Sequence, residues 1–220
     1  MTDQTPLPGE GAALLTLVQW LSPAFPIGAY AYSHGLEAVI AAGEVREAGA
    51  LRQWLADVLE FGAGRTDAIL LAHALRDGAD HTALATLARA MATTAERLQE
   101  TEELGAALTR ATDALRGTAS VPLPFPVALG RAAQGLPLPP AQVIALALQA
   151  FAAGLVSAAV RFVPLGQTEG QAVLAALHPL ILRLAAEAAE APLSAIGTAA
   201  IRADIASARH ETLHTRIFRT

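Results

Sequence analysis

Apolar residues recur along this chain every three or four positions, and no stretch sustains the strict alternation and β-branched enrichment of a strand. The pattern predicts an all-α protein. Leu14, Val18 and Leu21 form a first stripe, and Leu51, Leu55, Val58 and Leu59 form another beside Trp54. Further helices are expected near residues 66 to 77, 81 to 91, 94 to 116, 124 to 134, 140 to 162, 168 to 190 and 194 to 208. The Gly/Pro-rich breaks "RDGAD", "RGTASVPLP", "GLPLPP" and "VPLGQTEG" separate them, and none is long enough to be a domain linker. Pro179 lacks a backbone donor and should kink or split the segment around it. No fixed-period repeat is present. Residues 1–220 therefore read as one domain, a single compact bundle of roughly ten short-linked helices. The start, "MTDQTPLPGEG", has no cationic run followed by an apolar core, so residues 1–10 read as a loose leader of a soluble protein.

Composition narrows the function. With 53% hydrophobic residues in 220, a sizeable core is available. A net charge of -5 and the absence of clustered cations argue against a nucleic-acid surface. No cysteine is present, which excludes disulfides, thiolate metal sites and cysteine nucleophiles. All 15 basic residues are arginine, so neither a P-loop lysine nor Schiff-base chemistry is possible. Residues 141–160 carry no charge over a span that could cross a membrane. Alanines, Gln142, Gln149, Gly154 and Ser157 lower its apolarity, and a buried central helix packed through small residues is the better reading.

Two strings match catalytic patterns. His210-Glu211-Thr212-Leu213-His214 fits H-E-x-x-H, in which two histidines on one helical face bind zinc while the glutamate activates a bound water. A third ligand is missing: only Thr215 to Thr220 follow, two of them arginines, and His34, His73, His81 and His178 are scattered singly. Ala31-Tyr32-Ser33-His34-Gly35 resembles a nucleophile elbow, but a proline-rich loop precedes it where an elbow requires a strand. Neither a zinc peptidase nor a serine hydrolase is favoured, and no catalytic or metal residue is assigned.

Two other stretches are unusual for their positions. In "LSPAFPIGAYAYSHGLEAVI", residues 21–40, Pro23 and Pro26 stiffen a connection, Gly28 permits a turn, and Tyr30 and Tyr32 are the only tyrosines of the chain. Ser33 can cap the next helix and Glu37 falls near its first turn, where it complements the dipole. The stretch reads either as a helical corner with half-buried tyrosines or as a preorganised partner-binding surface. The tail, 206–220, carries Ile217 and Phe218 between Arg216 and Arg219, with Arg209 and His210 on the same basic face. It either packs on its own bundle or orders on a partner, its arginines meeting carboxylates.

Taken together, "LSPAFPIGAYAYSHGLEAVI", "LPFPVALGRAA" at 123–133, "VRFVPLGQTEGQ" at 160–171 and the closing "ARHETLHTRIFRT" resemble the UreF family of urease accessory proteins over nearly the whole chain. The resemblance implies an all-helical cytoplasmic protein without catalytic activity. It further implies a scaffold that binds the accessory protein UreD/UreH and recruits the GTPase UreG, so that nickel reaches the urease apoprotein. It implies a homodimer within a two-fold assembly, with nickel and GTP handled by partners and no cofactor of its own. The family's C-terminal arginine maps onto Arg216, with Phe218 and the His210-Glu211 pair beside it, and its proline-glycine-tyrosine loop onto Pro26, Gly28, Tyr30 and Tyr32. The chain departs from the family in "TAERLQETEELGAAL" at 94–108, a loose fit to a glutamate-rich helix, and in its final threonine where serine is usual. An adaptor beside a GTPase also invites a second reading, a GTPase-activating role with Arg216 as a finger in trans.

Overall fold

The computed structural model describes residues 9–214 and 216–219. Most of the expected leader lies outside them, while Gly9 stands at the N-cap of a helix that begins at Glu10. The order is α1 (Glu10–Leu21), a 3-10 turn (Ala29–Ala31), α2 (Leu36–Ala41), α3 (Ala48–Phe61), α4 (Ala63–Ala74), α5 (His81–Ala90) and α6 (Ala95–Arg116). There follow α7 (Phe125–Ala133), α8 (Pro140–Ala159), α9 (Gln167–Ala176), α10 (His178–Glu190), a second 3-10 turn (Leu193–Ala195) and α11 (Ile201–His210). No strand occurs among the described residues, so the fold is all-α as the periodicity predicts.

Local chemistry sets the ends of these helices. The Asp80 carboxylate accepts from the Ala83 N–H at 2.9 Å to start α5, and the Thr94 hydroxyl accepts from the Arg97 N–H at 3.1 Å to start α6. Gly117, at φ 67°, ends α6 in the left-handed conformation. Pro179 lies in the first turn of α10, where its missing donor has no helical acceptor to lose, and so divides 168–190 into two helices instead of kinking one. The segment at 194–208 is likewise interrupted: a 3-10 turn and extended residues precede α11.

The α3 stripe is buried as expected, with Leu51, Trp54, Leu55, Val58 and Leu59 all in the core. On α1 the inward face is displaced from the expected one. Ala13, Leu17 and Trp20 are buried, whereas Val18 is 47% exposed and Leu14 and Leu21 are partly covered. The central helix is α4 and not α8: Ala68, Ile69, Leu70, Leu71, Ala72 and Ala74 leave α4 almost no solvent face, and it packs on α3, α7, α8 and α10. Small side chains around α4 let these helices, and α5 beside them, approach it. Only 39% of the apolar window of α8 is buried, a helix long and apolar enough to cross a membrane by length and composition. Its inner residues, among them Ile144, Leu148, Leu155 and Val156, join the core, while Ala150, Phe151 and Gly154 border a cavity beside the 21–32 loop.

Candidate functional site

The loop after α1 is shaped by its own residues before anything docks on it. Gly28 turns at φ 76° into the first 3-10 turn, which directs the two tyrosines apart. Tyr30 is 66% exposed, whereas Tyr32 is 6% exposed and donates its hydroxyl to Glu103 Oε2 at 2.5 Å. Burial, then the bond to Glu103, pushes the Tyr32 phenol up to about 12, against an opposing effect of Arg219. Gly35 and not Ser33 is the N-cap of α2, and Ser33 supports the turn before it: its carbonyl accepts from the Leu36 N–H at 3.0 Å and its hydroxyl from the Glu37 N–H at 3.3 Å. His34 and Gly35 are both left-handed, at φ 52° and 74°. A Cβ on Gly35 would lie 2.6 Å from the Ser207 backbone nitrogen, so glycine is required for α11 to rest on this turn.

The C-terminal segment is threaded across this corner by three glutamates. His210, the last residue of α11, is fully buried, with Nε2 3.0 Å from Glu37 Oε2 and Nδ1 2.8 Å from Glu96 Oε2. Glu37 also accepts from the backbone N–H groups of Ile217 and Phe218, each at 3.0 Å. The second oxygen of Glu96 accepts from Arg216 Nη1 at 2.7 Å. Glu211 turns back to accept from the Ala95 and Glu96 N–H groups, at 3.0 and 3.4 Å, and so caps the N-terminus of α6 from 115 residues away. Phe218 is buried edge-to-face on Phe162 with ring centroids 5.4 Å apart. Arg219 closes the segment, its N–H donating to the Ala31 carbonyl at 2.8 Å and its guanidinium to Glu103 Oε2 at 2.6 Å.

These contacts fix the charge states. Burial opposes ionisation of Glu37, yet the bonds from His210, Phe218 and Ile217 outweigh it and hold the carboxyl below the ordinary glutamate value. Glu103 is also held low, by Tyr32 first, then Gln99 and Arg219.

The arrangement alters several expectations. The zinc reading fails on geometry, because α11 ends at His210 and His214 lies on a bend beyond it, so the two histidines share no helical face. Both ring nitrogens of His210 already face carboxylates, and Glu211 is a helix cap. Among the described residues no group of His, Asp or Glu is placed to hold a metal ion. Nor does a strand precede Ser33 to form an elbow. Arg209 and His210 do not share a face: Arg209 points to solvent and His210 inward. The Ile217-Phe218 pair divides, Phe218 inside and Ile217 65% exposed. Pro26 and Gly28 shape the loop, and Tyr30 is its exposed ring.

Glu96, Glu100 and Glu103 were not singled out by composition, yet they organise the corner. Their spacing of four and three residues places them on one face of α6, and this was the available signal: an acidic stripe with too few arginines on its own helix to neutralise it. Its partners come mainly from the loop and the tail, with Arg97 and Gln99 of α6 beside Glu100 and Glu103.

Fold and site together define an all-helical protein in which a polar network holds a surface loop and the C-terminal segment in shape. Residues 45–178 match the family model described as UreF. The chain is 70% identical over 209 residues to the urease accessory protein UreF of Cereibacter sphaeroides strain KD131, a match covering 95% of this chain and 99% of that one. It is 53% identical over 211 residues to the protein of that name from Roseobacter denitrificans, covering 94% of each. With that of Paracoccus denitrificans it shares 52% identity over the whole of both chains, loop and C-terminal segment included. The chain belongs to the UreF family of urease accessory proteins.

Proposed function

We propose that this chain is a scaffold in urease maturation, which binds a UreD/UreH-type accessory protein and recruits the GTPase UreG so that nickel reaches apo-urease. In this reading it works in the cytoplasm, as a homodimer, and the metal and the nucleotide are substrates of the assembly. The observation that carries the reading is the composite face made by the loop and the C-terminal segment. Tyr30 and Ile217, both largely exposed, stand on a platform already ordered by Glu37, Glu96 and Glu103. Amphipathic and apolar side chains on a preorganised base lose little entropy when a partner covers them.

The same geometry bears on the GTPase-activating alternative. Arg216 donates to Glu96 of its own chain at 2.7 Å, which favours an internal clamp over a finger reaching into a partner. GTP hydrolysis by UreG that is stimulated by this chain, and lost in Arg216→Ala while the complex persists, would restore the finger.

The experiment is size exclusion with light scattering on this chain alone, with UreD/UreH, and with added UreG. Truncation after Ile205 removes the buried His210 and disturbs the fold, so the informative variant is Tyr30→Asp, which alters only the surface. The scaffold reading expects wild type to form the larger assembly and Tyr30→Asp to lose a component; a wild-type chain that binds neither partner sinks it.

A further inference from the structure

The cavity that Phe151 and Gly154 border lies between the 21–32 loop, α4, α6, α7 and α8 and has a volume of about 170 Å³. Phe25, Ile27, Leu104, Phe125 and Phe151 stand in its walls. Its inner charged residues answer one another. Arg97 donates to Asp67 Oδ2 at 2.5 Å and lies 3.5 Å from Glu100 Oε2, while His34 Nε2 is 2.7 Å from Glu100 Oε1. With a guanidinium and an imidazole set against two carboxylates, the interior selects no ion of either sign, and what it offers an occupant is apolar surface.

The cavity opens beside the composite face of loop and C-terminal segment. Tyr30, Ser157 and Arg161, all exposed, are among its lining residues and mark where it meets solvent. Tyr30 is also the exposed ring of that face. Arg161 follows the C-cap of α8, and its guanidinium makes no hydrogen bond or ion pair among the described residues. A dry cavity of roughly 150 Å³ is enough to hold benzene, so a leucine or phenylalanine side chain fits here. Anchoring side chains that fill preformed, desolvated pockets carry most of the binding energy of protein interfaces. An apolar interior with one unpaired cation at its rim matches such an anchor when a carboxylate stands beside it.

We propose that the cavity is a socket for the partner that covers Tyr30: one leucine- or phenylalanine-sized side chain of that partner seats among Phe25, Phe125 and Phe151, and a neighbouring carboxylate of the partner meets Arg161. Resting on the scaffold reading, the socket specifies what the partner presents at this face, an apolar anchor flanked by an acidic residue. The buried group supplies the affinity, and the carboxylate fixes the direction from which it enters.

Phenylacetate, a ring joined to a carboxylate, is the probe, titrated calorimetrically into the full-length chain without partners. It should bind about two- to fivefold tighter than neutral phenylacetamide, the range of an exposed ion pair, and Arg161→Gln should bind the two alike. Gly154 borders the cavity on α8, and a Cβ there meets no atom within 4 Å, so Gly154→Leu fills the space while favouring the helix. That variant should lose phenylacetate with Tm unchanged or raised. In titrations with UreD/UreH and then UreG it should also assemble at least about tenfold more weakly, the scale of one lost anchor. Saturating phenylacetate should weaken wild-type assembly in the same way, a measurement that needs no variant. Wild type that binds no phenylacetate, or Gly154→Leu that binds it undiminished, would overturn the socket and leave the scaffold reading standing. Gly154→Leu that loses the probe yet assembles like wild type, or wild-type assembly indifferent to phenylacetate, would overturn the anchor. Wild type that binds phenylacetate but neither partner would overturn the scaffold reading, and the anchor with it.

Discussion

Glu37 on α2 and His210 at the end of α11, 173 residues apart in the chain, meet at 3.0 Å with the imidazole shut off from solvent. The same carboxylate holds the Ile217 and Phe218 N–H groups, so one side chain joins α2, α11 and the C-terminal segment. Glu37→Ala leaves a buried imidazole and two backbone donors without their acceptor, a loss expected to be about 2–4 kcal/mol. Glu37→Gln keeps one acceptor and should lose less. Urea denaturation measures the total, and amide exchange at Ile217 and Phe218 locates it. Unchanged protection of those two amides in Glu37→Ala would show that Glu37 is not the fastening point.

Acid should loosen the corner, and alkali should do so by a different group. Glu37 and Glu103 have folded pKa values below their unfolded ones. Their stabilisation is present above the unfolded carboxylate value and is lost as pH falls through the folded value, a decline expected below about pH 4.3. Tyr32 runs the other way, with a folded value of about 12. Between the unfolded phenol value of about 10 and that figure, the native state holds a proton the unfolded chain has released, and stability falls as pH rises. Absorbance of the phenolate in Tyr30→Phe isolates Tyr32; a midpoint near 10 would mean that Tyr32 is neither buried nor bonded to Glu103 in solution.

How far the sequence discloses this architecture depends on whether a signal is local. The α3 stripe is legible because Leu51, Leu55, Val58 and Leu59 stand against polar residues on the opposite face. On α1 two overlapping apolar faces compete, Leu14-Val18-Leu21 and Ala13-Leu17-Trp20, and periodicity cannot choose between them; packing of Trp20 decides. The centrality of α4 is hidden because composition draws attention to the longer uncharged run of α8. That the loop and tail are unusual for their positions can be read from the paired tyrosines and the closing Ile-Phe pair. Their mutual contact is invisible, since Glu37 alone looks like a complement to its own helix dipole and its real partners lie about 170 to 180 residues away.

Gly35 and Gly28 have nearly the same backbone angle and should respond differently to alanine. Both are left-handed, at φ 74° and 76°, which disfavours a side chain by about 1–2 kcal/mol. At Gly28 a Cβ meets nothing within 4 Å, whereas at Gly35 it would sit 2.6 Å from Ser207 N and 2.8 Å from the Ala206 carbonyl carbon. Gly28→Ala should therefore lose only the conformational part. Gly35→Ala must also push α11 off its seat, for a total expected near 3 kcal/mol or more. Thermal melts of the two variants provide the comparison, and equal losses would mean that α11 shifts at little expense.

Ile217 and Phe218 are neighbours with opposite duties, and this separates stability from docking. Phe218 is buried against Phe162, so Phe218→Ala removes an aromatic contact and leaves a cavity; a loss of about 2–3 kcal/mol is expected. Ile217 contributes its backbone N–H to Glu37 while its side chain projects outward, so Ile217→Asp retains the hydrogen bond and should change stability by no more than about 0.5 kcal/mol. If the exposed face is where a partner docks, Ile217→Asp should abolish assembly with UreD/UreH or UreG although the chain melts like wild type, since a carboxylate would be buried without a partner. Phe218→Ala should impair assembly only in proportion to its loss of order, and cooling or a stabilising osmolyte should restore it. The reverse pattern, with Ile217→Asp assembling normally, would assign the C-terminal segment to the fold alone and leave Tyr30 as the side chain to pursue.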